Sequence, residues 1–123
     1  MKQTELFAER KATGAVESER VVLYAFGEFQ ARGKALAERE LPLDRLRGAL
    51  RRAADAFGVL ELTDEDAVSA IQTLGARVLR VPPYVAKHPF RVLVPAAVAG
   101  QAMKFYQDHQ ASRAGERDGE TVA

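Results

Sequence analysis

Apolar residues recur along this chain first at a helical period and later at an alternating one. From about Ser18, the positions Val22, Phe26, Phe29, Gly33 and Leu36 follow a helical rhythm, and Val21 and Ala25 widen the stripe. Ser18 suits an N-cap, with Glu19 in the first turn. Either this helix carries on to Glu40, or it ends near Gly33 and a second element continues to Glu40, with Pro42 as the stop. Leu43, Leu46, Leu50, Ala53, Ala54 and Phe57 share one face of the next helix, and Gly58 stands where a left-handed residue ends it. After a short extended stretch, Val59 to Leu62, the run Thr63-Asp-Glu-Asp66 reads as a capping box. It opens a short helix with Ala67, Val68, Ile71 and Leu74 inward and Gly75 as its stop.

The period then changes. Arg77 to Val81 and Phe90 to Val94 are rich in β-branched residues and bounded by proline, a strand signal on both sides. Pro82 to Pro89 is too long for a tight hairpin, so a loop or wing is expected there. Pro95 ends the second strand, and Ala96 to about Gln110 reads as a closing helix with Val98, Ala102, Phe105 and Tyr106 as buried candidates. The expected class is α+β, mostly helical: three or four helices with a two-stranded antiparallel hairpin. Residues 1–17 form an N-terminal segment, 18–110 a single globular domain, and 111–123 a disordered tail with little to bury.

Composition sets the limits. A chain of 123 residues, 47% hydrophobic and 28% charged, suits one soluble domain with a real core. It has no cysteine, which excludes disulfides, thiolate metal sites and cysteine nucleophiles. The N-terminal residues carry acids where a secretory signal needs an apolar core, and no apolar run reaches the ~20 residues of a membrane span. A cytoplasmic protein without a membrane partner is the expectation.

Charge gives the functional hint. The net charge is only +1, yet no acid lies between Asp66 and Asp108, a stretch that holds Arg77, Arg80, Lys87, Arg91 and Lys104. Most of that charge sits on the predicted hairpin, with Tyr84 and His88 in its loop. Arg45, Arg47, Arg51 and Arg52 lie on the outer face of the preceding helix, against Asp44 and Asp55. A compact positive field attracts polyanions or acidic partners. The plain alternative is protective: basic residues and prolines on short strands discourage edge-to-edge pairing.

The element order from Ser18 to Val94 resembles a winged-helix domain, a helical trio followed by a two-stranded wing. The sequence places the short strand between the second and third helices, where a winged helix has it between the first two. The resemblance implies that the helix from Thr63 to Leu74 is the recognition helix and that Arg77 to Val94 is the wing. Arg80, Lys87, His88 and Arg91 would then meet phosphates, with Tyr84 on a sugar or base edge. The three acids at the start of that recognition helix would repel phosphate, so a surface made jointly by the hairpin and the arginine-rich helix fits the charges better.

Other chemistry is sparsely marked. His88 and His109 lack metal-ligand spacing, and His109 near a helix end reads as a dipole partner. Ser18, Ser69 and Ser112 have no nucleophile-elbow context, and no glycine-rich phosphate loop is present. No enzyme, metal or cofactor is expected. Pro82-Pro83-Tyr84 could serve a partner as a polyproline-like segment or simply stiffen the loop. Tyr24 falls off the core rhythm and reads, with Tyr106, as an interface aromatic, which makes a homodimer the expected assembly. The leading reading is a small non-enzymatic nucleic-acid-binding or regulatory protein. The alternative is a protein-interaction module whose hairpin docks an acidic partner.

Overall fold

The computed structural model describes the backbone of residues 15–82 and 90–122 and the side chains of residues 17–82 and 90–113. Its central element is helix α1 (Ala15–Ala31). Every residue from Val21 to Phe29 is buried, because three other helices lie against α1. An apolar stripe alone would suit a helix covered on one side, and a helix enclosed on several sides has no outward face left. Leu23, Tyr24 and even Glu28 are therefore inside. Ser18 is buried within the helix rather than capping its start.

Gly33 adopts a φ of 86°, a left-handed conformation that glycine takes without steric cost, and α1 is over. No second helix follows. Residues 34–39 run across the molecule, and Glu38 takes a φ of 60°. The strain at Glu38 is offset by two hydrogen bonds: its backbone N–H donates to the Val94 carbonyl at 2.7 Å, and its carboxylate accepts from the Ala96 N–H at 2.8 Å. That turn delivers strand β1 (Glu40–Pro42), which the sequence does not announce. Pro42 ends β1 and leads into a 3-10 turn, η1 (Leu43–Leu46), before helix α2 (Arg47–Phe57) begins.

The next boundaries fall where local chemistry puts them. Gly58 is left-handed at φ 67° and closes α2. The Thr63 hydroxyl accepts a hydrogen bond from the Asp66 N–H at 3.1 Å and caps helix α3 (Asp64–Thr73). Gly75, at φ 103°, turns the chain into strand β2 (Arg77–Arg80), and strand β3 (Phe90–Leu93) returns antiparallel to it. Helix α4 (Ala96–Val122) then crosses α1 and continues past Gln110, where the apolar pattern placed its end.

The sheet has three strands in the order β1-β3-β2, so the expected two-stranded hairpin is corrected to a hairpin with a third strand. Glu40 pairs with Leu93 and Pro42 with Arg91 on one side of β3, while Arg77 pairs with Leu93 and Arg80 with Phe90 on the other. The fold is α+β and mostly helical, as the pattern predicts. The extended stretch expected from Val59 to Leu62 forms no strand of the sheet, and the short strand that does form, β1, lies between α1 and η1. α2 and α3 both rest on α1 rather than on each other. Among the described residues no helix is long and apolar enough to cross a membrane.

The core is continuous. Phe26, Leu36, Leu46, Leu50, Ile71, Val92 and Val94 are among its largest fully buried side chains, drawn from α1, η1, α2, α3 and β3 with the loops flanking them. At one point backbones nearly touch: a Cβ added at Gly27 would lie 2.3 Å from the Tyr106 Cβ and 2.5 Å from the Ala102 carbonyl oxygen. Only glycine allows α1 and α4 to approach this closely.

Candidate nucleic-acid interface

Seven of the ten candidate binding residues fall among the described residues, and Tyr84, Lys87 and His88 lie outside them. Four of the seven are held by carboxylates. Arg47 pairs with Asp64 at the start of α3, which ties the amino ends of α2 and α3 together. Arg51 reaches Glu61 at 3.7 Å in the connection between those helices. Arg52 donates two hydrogen bonds to Glu28 on α1, at 2.6 and 2.9 Å, and that contact holds its pKa above the ordinary arginine value. Arg91 donates to Glu40 at 3.1 Å across the β1–β3 pairing.

The remaining three, Arg45, Arg77 and Arg80, make no ion pair with any described residue and are exposed. Arg77 and Arg80 sit at the two ends of β2. Arg77 shares the outer face of the sheet with Leu79, while Arg80 lies over the ring of its cross-strand partner Phe90, its guanidinium carbon 5.2 Å from the centroid. The stacking orients the Arg80 side chain without neutralising its charge. Arg45 projects from η1, which follows the strand at the other edge of the sheet.

α2 makes no approach to either hairpin strand, whereas η1, which carries Arg45, packs against β3. Arg47, Arg51 and Arg52 turn toward α1, α3 and the loop between α2 and α3, where acids meet them. The exposed face of α3 offers Glu65 and Asp66 in its first turn and then Ser69, Gln72 and Thr73. The Thr73 hydroxyl is already engaged with the Ser69 carbonyl at 2.9 Å.

The sequence reading missed two features. One is an aromatic cluster under the middle of α4. Tyr24, expected at the surface, is buried there, with its ring edge-on to Phe57, Tyr106 and His109 at centroid distances of 5.6, 5.0 and 5.2 Å. The Gln110 amide donates to its hydroxyl at 2.9 Å. Burial, followed by the neighbouring Tyr106 phenol, pushes the Tyr24 pKa above its ordinary value. His109 stands well inside α4, because the helix runs on past it, and is a ring-packing residue of this cluster rather than a terminal dipole partner. The signal available was the convergence of Phe57, Phe105 and Tyr106, but their distance along the chain hides it.

The other feature is a shallow, open cleft of about 610 Å³ lined by Gln30, Lys34, Leu36, Arg39 and Met103 among others. Gln30 closes one wall by donating to the Phe26 and Ala99 carbonyls. Among the described residues no group of three histidine or carboxylate side chains could hold a metal ion. Comparison of the chain with models of protein families, with curated proteins and with solved structures finds no match.

Proposed function

We propose that this protein is a small non-enzymatic nucleic-acid-binding or regulatory protein that meets phosphates with strand β2 and the wing following it. The observation that carries this reading is the contrast among the arginines. Arg47, Arg51, Arg52 and Arg91 are committed to carboxylates, whereas Arg77 and Arg80 are exposed, make no ion pair with any described residue and share one short strand. The element order, helix, strand, two helices and a winged hairpin, supports it as a likeness of architecture. Lys87, His88 and Tyr84 belong to the same hairpin in sequence and would extend the contact.

Glu65 and Asp66 make α3 a poor helix for a DNA groove, because they would bring like charge toward phosphate. Binding is then chiefly to the backbone and weakly selective for sequence. Titration of duplex and single-stranded oligonucleotides at two salt concentrations tests it. Each phosphate neutralised on duplex DNA contributes about −0.9 to the slope of log K against log salt, so Arg77 and Arg80 alone give about −2. Absence of binding at low salt rejects the reading. The second reading, a protein-interaction module or homodimeric adaptor, is favoured by one observation: Leu79, between the two arginines, is 51% exposed.

A further inference from the structure

The two edges of the sheet are unlike. β1 is three residues long, contains Pro42, which has no N–H to offer, and carries the Glu40–Arg91 ion pair across its pairing with β3. That edge is blunted in the ways edges usually are. β2 is also short and carries Arg77 and Arg80, but its four residues include no proline, and among the described residues β3 is its one strand partner and no hydrogen bond joins its outer edge. A protective edge keeps apolar side chains off its surface, yet Leu79 is half exposed in the middle of this one.

From this contrast we infer that β2 is a docking edge for an extended acidic peptide, which adds to the sheet as a fourth strand. The pairing pattern fixes the chemistry of that peptide. Residues directly opposite each other in an added strand share a face at about 4.5–5.5 Å. A carboxylate opposite Arg77 and another opposite Arg80 pair with the two guanidinium groups that meet no described carboxylate. An apolar residue opposite Leu79 covers its exposed surface, and one opposite half-buried Val78 extends the core side of the sheet. The recognised sequence is therefore acidic, apolar, apolar, acidic, and its symmetry allows either strand direction. Main-chain hydrogen bonds supply affinity and the alternating side chains supply selection. Because the peptide occupies Arg77 and Arg80, it also excludes any nucleic acid held by them.

The experiment follows backbone amide NMR signals of the full chain while a capped synthetic peptide centred on Glu-Ile-Val-Glu is added. Shifts concentrated at Arg77 to Arg80 support the proposal. Loss of at least about tenfold in affinity when the peptide's acids are moved to its centre supports the register. Two further peptides, N-methylated at alternate backbone positions, keep the test independent of any protein variant. Only one set of amides faces β2, so one of these peptides loses binding while the other retains it. Equal behaviour of the two, or no shifts at β2, overturns the proposal. Shifts at β2 caused by a duplex oligonucleotide and not by the peptide likewise overturn it, while leaving the nucleic-acid reading in place.

Discussion

Arg52 on α2 donates two hydrogen bonds to the carboxylate of Glu28 on α1, and Glu28 is only 8% exposed. Arg32, just past the end of α1, approaches the same carboxylate at 3.4 Å. A buried carboxylate needs such partners, since an unpaired charge in the interior is costly. One of the four arginines that the sequence offers for a polyanion is thus a structural tie between two helices. Replacing Arg52 with alanine is expected to lower stability by about 1–2 kcal/mol in a denaturant titration, the value softened by the solvent near its exposed side chain and by Arg32. The same variant leaves oligonucleotide affinity unchanged. Removing Arg32 as well is expected to cost more than the sum of the two single changes, because Glu28 then has no cation left among the described residues.

Gly27 separates α1 from α4 by too little for any side chain. Gly27→Ala adds a methyl that meets the Tyr106 Cβ and the Ala102 carbonyl. Alanine favours helix by up to about 1 kcal/mol, and overpacking costs about 1–3 kcal/mol, so the net effect is destabilising. Thermal unfolding of the variant should show a lowered midpoint. A midpoint equal to or above that of the parent chain would mean that α4 does not cross α1 at this position.

Alkaline pH should act through Tyr24. Its folded-state pKa is raised, first by burial and then by Tyr106, above the ~10 of a free phenol. The buried phenol favours its protonated form, so its contribution to stability is complete below pH ~10 and is lost as pH climbs through the folded-state pKa. A plot of stability against pH is therefore expected to fall beyond pH ~10, and Tyr24→Phe should lessen that fall. At neutral pH the substitution costs about 0.5–1.5 kcal/mol, the worth of the hydrogen bond from Gln110.

Capping offers a smaller and cleaner test. Thr63→Ala removes the acceptor that holds the Asp66 N–H and is expected to cost about 1 kcal/mol by chemical denaturation. Ser18→Ala changes no cap, because Ser18 lies within α1. Unchanged stability after Thr63→Ala would contradict this start of α3.

These contrasts mark what the sequence could and could not reveal. Gly58, Thr63 and Gly75 act on their own neighbours, so the ends of α2 and α3 can be read from a few adjacent residues. The strands β2 and β3 are likewise visible in their β-branched alternation. β1 is not, since three residues carry no period and their pairing depends on the left-handed turns at Gly33 and Glu38. Charge availability is less local still. Arg52 meets an acid 24 positions away and Arg91 one 51 positions away, and no window on the sequence contains either pair. Counting arginines therefore reveals neither the carboxylates that meet Arg47, Arg51, Arg52 and Arg91 nor the lack of one among the described residues at Arg77 and Arg80.

The central claim, that strand β2 and not the arginine-rich helix carries the contact with phosphate, is tested most directly by charge reversal. Fluorescence anisotropy with a labelled duplex at low salt would compare the parent chain, the double variant Arg77→Glu with Arg80→Glu, and Arg51→Glu. The expected result is salt-sensitive binding by the parent chain, at least about a tenfold loss in the β2 variant, and little change in the Arg51 variant. No binding by the parent chain, or an undiminished affinity after reversal of Arg77 and Arg80, would contradict the account.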